Sequence, residues 1–443
     1  MPSILLILPA DISYRFNGAF KKSYSYAPIT LTLLAALVPD TSDFTVNIVD
    51  EGVECSADSD NNYDIVGITC VTSSAMRAYE LCKFWRTRGA HTVLGGAHPT
   101  LMPDEASQYA DTVIVGAAER SWPVFINDFC KGEAKKYYSD PDELDSSCSF
   151  PVPRRNLIRK GLYLDIPTVI ARPGCPNNCV FCTIPHLGYA ASGARKIQDV
   201  VNEISAIGSR RVLFLDPNIT VDRQYAKELF TALTPLRIQW AGLATIDIAK
   251  DDKLIQLMVN SGCIGLLIGF ESLHQTNLVS ARKHFAKVTE YSKAIKTLRE
   301  AGIAILGCFV LGFDHDTSES LKELPDLVEE LRIDIPRYSI LTPFPGTELF
   351  RSFEREKRIL TKDWSLYDTE HVVFQPANMD PTDLQQALYA AWDRSYRLPV
   401  ILKRSLRLKN NRLFGLLANL GLRHYGKKLY SLRSAVHGSV NTH

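Results

Sequence analysis

Short apolar runs, each closed by glycine, proline or a polar turn and spaced by stretches of helical periodicity, recur through about the first 130 residues. No other feature narrows the fold as much. The runs are 4–8 before Pro9, 44–50, 64–69, 91–94 before Gly95-Gly96, and 112–115 before Gly116. Helical stretches fall at 29–38, 73–88, 103–109 and 121–130. Five runs with helices between them predict an α/β, doubly wound, Rossmann-like parallel sheet covered on both faces. Ligands of such sheets sit beyond the carboxyl ends of the strands. Here those ends read Cys70-Val71-Thr72-Ser73-Ser74, Gly95-Gly96-Ala97-His98-Pro99 and Gly116-Ala117-Ala118-Glu119, where glycine lets backbone approach a ligand closely.

A second alternation follows. Runs at 167–171, 212–215, 239–244, 264–270, 303–310 and 336–341 are separated by helical stretches near 197–206, 223–233, 252–261, 289–301 and 318–331. Six such units predict a partial (β/α)6 barrel, whose polar strand tips line the mouth. The expected division is a first domain over 1–140, a linker over 141–165, the barrel over 166–375 and a helical, basic region over 376–443. In that last region Asp380-Pro381 opens a helix to about Tyr396, and Leu398-Pro399 breaks it.

Composition closes off other classes. With 443 residues, 46% hydrophobic and 22% charged, the chain can build sizeable cores, which excludes wholesale disorder. Fifty Lys plus Arg against 49 Asp plus Glu leave a net charge of +1, too little to steer the whole molecule to nucleic acid. After Asp393 no acidic residue occurs, while eleven Lys or Arg do, so the rest carries +1 − 11 = −10. Leu402, Leu406, Leu408, Leu413, Leu416 and Leu417 alternate there with Lys403, Arg404, Arg407, Lys409 and Arg412. Such a stretch suits either a solvated helix face or, over 400–430, a peripheral contact with an anionic membrane. No run approaches bilayer-spanning length and the opening apolar run lacks a signal-peptide pattern, so a cytoplasmic protein is expected. Neither G-x-x-x-x-G-K-[ST] nor G-x-G-x-x-G occurs, which argues against a nucleotide phosphate loop.

Of the ten cysteines, Cys175, Cys179 and Cys182 alone cluster, in Cys-Pro-Asn-Asn-Cys-Val-Phe-Cys after the turn Arg172-Pro173-Gly174. Thiolates at this density bind iron-sulfur clusters or zinc. Three of them can hold three irons of a four-iron cluster and leave the fourth open to a substrate-like ligand. The same spacing admits a closed zinc site with His186 as fourth ligand.

The C-x3-C-x2-C loop with Phe181 before its last cysteine resembles that of radical S-adenosylmethionine enzymes. Gly95-Gly96-Ala97-His98-Pro99 and Gly116-Ala117-Ala118-Glu119-Arg120 resemble the cobalamin-binding domain of that family's cobalamin-dependent branch. Phe214-Leu215-Asp216-Pro217-Asn218, Gly269-Phe270-Glu271-Ser272, Gly307 through Asp314 and Pro343-Phe344-Pro345-Gly346-Thr347 extend the likeness over roughly residues 1–400.

The resemblance implies a 4Fe-4S cluster on Cys175, Cys179 and Cys182, and S-adenosylmethionine near Phe181, Asp216, Asn218, Glu271 and Ser272. It implies cobalamin near Thr72, Ser73, Gly95, Gly96, His98, Gly116 and Glu119. His98 is expected as a loop residue beside the corrin, not an axial ligand. The acidic pair usual after Gly116 is reduced to Glu119. The implied activity is methylation of an unactivated carbon of a small-molecule or lipid-like substrate through a 5′-deoxyadenosyl radical, with a flavodoxin or ferredoxin as electron donor. Radical ring closure or rearrangement without methyl transfer is the alternative within the family; a non-catalytic zinc-containing corrinoid or tetrapyrrole carrier is the alternative outside it. No second three-cysteine site speaks for a methylthiotransferase.

Overall fold

The computed structural model describes residues 2–10, 26–39, 44–54, 61–140, 150–159, 161–189, 193–407 and 412–440. Cys55, Cys148, Leu408, Lys409 and positions 141–149 and 160 of the expected linker lie outside them. The chain divides into two compact units, residues 1–217 with 343–352 and 362–368, and residues 218–342 with 353–361 and 369–443.

The first unit is built on β1 (Ser3–Leu8), β2 (Thr45–Asp50), β3 (Ile65–Thr69), β4 (His91–Gly95), β5 (Thr112–Val115) and β6 (Tyr137–Ser139), all parallel, in the order β2-β1-β3-β4-β5-β6. Alternate residues point to opposite faces. Ile4, Leu6, Ile65, Val93 and Ile114 join one core with Leu31 and Ala35 of helix Ile29–Ala36 and with Trp122, Phe125 and Ile126 of helix Ala118–Lys131. Leu5, Ile7, Val66 and Leu94 are buried on the other face, where helix Ala75–Thr87 packs on β3 and β4. Two features depart from the sequence-based expectation. Gly96, at φ 99°, turns the chain so sharply that helix Ala97–Leu101 starts at once, and Pro103 then opens a second, Pro103–Ala106, in place of one helix over 103–109. The sixth strand is three residues long with only Tyr138 buried, too short to show alternation.

The first unit also holds the parallel pair β7 (Thr168–Val169) and β8 (Arg211–Phe214). The second unit carries β9 (Gln239–Ala244), β10 (Cys263–Glu271), β11 (Ala304–Leu311) and β12 (Ile335–Ile340), parallel and adjacent in chain order. Helices Arg223–Leu233, Asp252–Asn260, Tyr291–Glu300 and Ser318–Glu330 alternate with them. Asp222, Asp251 and Thr317 cap three of these by accepting N–H bonds of the first turn. Helices Gln275–Ser280 and Glu348–Arg355 were not expected.

The C-terminal region is helical: Pro381–Ser395, Leu398–Leu406 and Arg412–Val440. Asp380 accepts the N–H of Thr382 at 2.8 Å, the predicted cap. Arg404 is a correction to the reading of a solvated basic stretch. It is 2% exposed and donates to Asn419 Oδ1 at 2.9 Å, the Ser395 carbonyl at 3.0 Å and Glu329 at 3.3 Å, so it ties the three helices together.

Candidate functional site

The cysteine loop leaves β7 through a fixed point. Asp216, just past β8 and fully buried, accepts the N–H of Ala171 at 3.0 Å and that of Arg172. Burial pushes its carboxyl up to about 7, against the opposing pull of those two N–H donors. Sequence reasoning placed Asp216 beside S-adenosylmethionine; in the structure its oxygens are used to aim the chain that carries the cysteines. The loop then runs without regular structure to Cys179, whose carbonyl accepts from Cys182 N–H at 3.0 Å, while Val180 accepts from Leu349 N–H at 3.0 Å.

Cys175 and Cys182 are half-buried and Cys179 is buried, all three outside disulfides. The contrast with the other described cysteines is chemical. Burial drives Cys70, Cys82 and Cys263 far above the ordinary thiol value and pushes Cys308 up to about 12, so these stay protonated. Metals take thiolates, and Cys130, the remaining described cysteine, is exposed and stands alone in the sequence, so the donor set fitting a cluster is the loop trio. Among the described residues no three His, Cys, Asp or Glu side chains already stand at metal-holding spacing, with or without His186. His186 lies largely exposed on the short turn Ile184–His186, its pKa lowered by partial desolvation of the ring and by Arg351. Phe181 is half-buried beside Cys182.

The strand ends expected to meet a corrin lie in the same unit. Thr72 and Ser73 are buried in a single turn, Thr72–Ser74, closed by Ser74 Oγ on the Val71 N–H at 3.3 Å. A Cβ on Gly96 would stand 2.7 Å from both Cys70 O and Thr69 Oγ1, so only glycine fits. Thr100 donates to the Gly96 carbonyl at 2.7 Å and accepts the Gly116 N–H at 2.9 Å, joining the two glycine loops. Gly116 in turn meets Gly188: a Cβ on Gly188 would lie 3.0 Å from Ala117 N. Next to this contact the Tyr189 hydroxyl stands 2.9 Å from both oxygens of Glu119. Burial raises the pKa of Glu119, opposed by the Tyr189 hydrogen bond. The segment after the cysteines is thus fastened to the end of β5. Gly188 and Tyr189 escaped sequence reasoning; a glycine-aromatic pair soon after the last cysteine was the available signal.

His98 corrects an expectation. It sits on helix Ala97–Leu101, not in a loop, and is fully buried. Its Nε2 is 3.0 Å from the Tyr79 hydroxyl and 3.5 Å from Glu105, which also accepts from Tyr79 and from Trp364 Nε1, each at 2.8 Å. Burial would raise the pKa of Glu105, but the donors His98, Tyr79 and Trp364 outweigh it and the pKa falls. His98 Nδ1 has no hydrogen-bond partner among the described residues, an orphaned buried atom beside the glycine cradle. Tyr79, Glu105 and Trp364 come from three separate segments, a grouping no local motif could announce.

In the second unit, Asn218 Oδ1 accepts from Thr220 N–H at 3.1 Å and Thr220 Oγ1 at 2.9 Å, a local turn. Glu271 ends β10 at φ 61°, at a register shift against β11, and its carboxylate pairs with Lys283 Nζ at 2.5 Å. Lys283 also donates to the Gly269 carbonyl at 2.7 Å. Ser272 Oγ accepts from Asn277 at 3.1 Å, and Asn277 donates to Asp316 at 2.7 Å, which holds the N–H groups of Gly312 and Phe313. Ser272 and Asn218 therefore shape strand tips.

Two family models match the chain: the radical SAM superfamily over residues 169–328 and the B12 binding domain over residues 21–125. Bacteriochlorophyllide d C-12(1)-methyltransferase of Chlorobaculum tepidum is 30% identical over 394 residues, 85% of this chain and 84% of that protein. Bacteriochlorophyllide d C-8(2)-methyltransferase of the same organism is 29% identical, covering 85% and 87%. The radical S-adenosylmethionine methyltransferase TsrM of Kitasatospora setae, solved with cobalamin and a [4Fe-4S] cluster, shares the fold at a TM-score of 0.69 and 15% identity, over 98% of this chain and 100% of that one.

Proposed function

The chain belongs to the radical S-adenosylmethionine enzymes that carry a B12-binding domain, and from that premise we propose that it methylates an unactivated carbon of a flat, largely apolar small molecule. The names of the two bacteriochlorophyllide methyltransferases support this substrate class. The observation that carries the reading is the joint inside the first unit: the segment following the cysteine trio is fastened to the glycine-lined strand ends through Gly116–Gly188 and Glu119–Tyr189.

Cys175, Cys179 and Cys182 would hold the 4Fe-4S cluster, and Gly95, Gly96 and Gly116, with Thr72, Ser73, His98 and Glu119 around them, the corrinoid. When bound, the cluster supplies the electron that breaks a carbon–sulfur bond of S-adenosylmethionine, and the corrinoid carries the methyl group. The chain's own work is positional. Asp216 aims the cysteine loop, Thr100 spaces the two glycine turns, and Phe181 offers an aromatic face for the adenine. Asn218 and Ser272 fix strand tips, and Glu271, paired with Lys283, is the tip carboxylate that would face the cofactor's ribose or methionine part.

The electron donor in this reading is a small flavodoxin or ferredoxin. Free thiols in such number fit a reducing compartment, the cytoplasm. A lipid-like substrate would bring residues 400–430 to a membrane surface.

The test is anaerobic reconstitution with S-adenosylmethionine labelled in its methyl group, dithionite and a chlorophyllide-type substrate. Methyl transfer gives labelled product, with S-adenosylhomocysteine and 5′-deoxyadenosine formed together. Unlabelled, ring-closed product with 5′-deoxyadenosine alone would replace methyl transfer by cyclisation, and absence of both nucleoside products would overturn the proposal.

A further inference from the structure

The last two helices carry leucine where water should be met by polar side chains. On Leu398–Leu406, Leu398, Leu402 and Leu406 are 50%, 56% and 69% exposed, spaced by four and so on one stripe, while Ile401, Arg404 and Ser405 are buried on the other side. On Arg412–Val440, Leu413 and Leu417 repeat the pattern at 71% and 59%, with Asn419, Tyr425 and Leu429 buried. Scattered exposed leucines are ordinary, but five in two successive stripes are not.

The charge carried by these two helices themselves has one sign. The 50 residues after Asp393 hold eleven Lys or Arg and no acid. Lys403, Arg412 and Lys427 are exposed. The acidic groups packed nearby are already engaged: Glu329 accepts from Arg404 and Arg407, and Asp393 stands 3.8 Å from Arg397. Among the described residues no helix is long and apolar enough to cross a membrane.

We propose that this leucine-lined, basic helix pair lies on the surface of a bilayer rich in anionic phospholipid. Leucine side chains enter the acyl boundary while the flanking cations meet headgroup phosphates, the division of labour of an interfacial helix. A second copy of the chain is the poorer occupant, because a two-fold contact would set the same positive surface against itself. The proposal stands apart from methyl transfer, since membrane binding needs neither cofactor nor substrate.

The test is co-sedimentation of the full chain with vesicles of phosphatidylcholine alone or with added phosphatidylglycerol. Expected is at least about tenfold stronger binding to the anionic vesicles at low salt, weakened at high salt. The combined variant L402Q, L406Q, L413Q and L417Q should lose about tenfold or more of that binding with an unchanged melting temperature, since all four positions are already exposed. Equal binding by variant and parent, or no preference for anionic vesicles, overturns the proposal. A dimer that the variant converts to monomer, without vesicle binding by the parent, assigns the stripe to a second copy and overturns it equally.

Discussion

Strands β4 and β5 of the first unit and β10 of the second finish in opposite ways. In the first, β4 and β5 end in bare backbone: Gly95-Gly96 and Gly116, with positive φ at Gly96 and Gly116 and a threonine bridging the two turns. In the second, β10 ends in side chains that are internally satisfied, Glu271 by Lys283 and Ser272 by Asn277, which also bonds Asp316, while β11 ends in Gly312, whose missing Cβ leaves room for Leu384. A glycine tip states its purpose, because close approach of backbone is the reason to omit a side chain. A polar tip does not, since the same carboxylate can face a ligand or an internal partner.

Four substitutions and one compensating change test that difference. Gly96→Ala should be the most damaging, costing about 3 kcal/mol or more through its positive φ and the contacts its Cβ would force on Cys70 and Thr69. A fall in melting temperature together with loss of retained corrinoid is the expected result; an unchanged protein would remove the glycine-tip argument. Lys283→Met comes next, at about 2–3 kcal/mol, because it strands a carboxylate that is only 12% exposed. Denaturant unfolding should show the loss, and adding Glu271→Gln should restore part of it; no recovery would mean the two groups are not coupled.

Tyr189→Phe is smaller, about 1–2 kcal/mol, since it takes a hydrogen-bond donor from the buried Glu119. The folded pKa of Glu119 is raised above 4.5, so its contribution is present below that value and lost as pH rises through the folded pKa. The variant should therefore lose more at pH 8 than at pH 5, and a loss independent of pH would detach the effect from Glu119. The smallest effect belongs to the opposite end of the same sheet. Burial lowers the pKa of His91 below 6.5, so its contribution is present above 6.5 and fades as pH falls. His91→Gln should flatten the decline of melting temperature on acidification below about pH 6.5; an unaltered slope would place the decline elsewhere.

The parallel sheets were legible because their strands are apolar runs with periodic helices between them, a pattern set by burial on both faces. Tyr137–Ser139 was not, having one buried residue, and helix Ala97–Leu101 was hidden behind a glycine pair that reads as loop. The cysteine trio was legible because its three thiols, Cys175, Cys179 and Cys182, fall in one short loop. Asp216, Ser272 and Asn218 were correctly seen as strand-tip residues, but their partners Ala171, Asn277 and Thr220 decide what they do, and a partner 45 residues away leaves no local trace. The His98 network drew on Tyr79, Glu105 and Trp364, of which Trp364 lies 259 residues from Glu105.

What the three loop thiols hold decides the chemistry of the site. Metal analysis of anaerobically reconstituted protein, combined with electron paramagnetic resonance of the reduced form before and after S-adenosylmethionine, reads this directly. Four irons per chain, a spectrum that shifts when S-adenosylmethionine is added, and loss of both on replacing any one of Cys175, Cys179 or Cys182 by Ala, but not Cys263, is the predicted result. One zinc, no iron, and a requirement for His186 would contradict it.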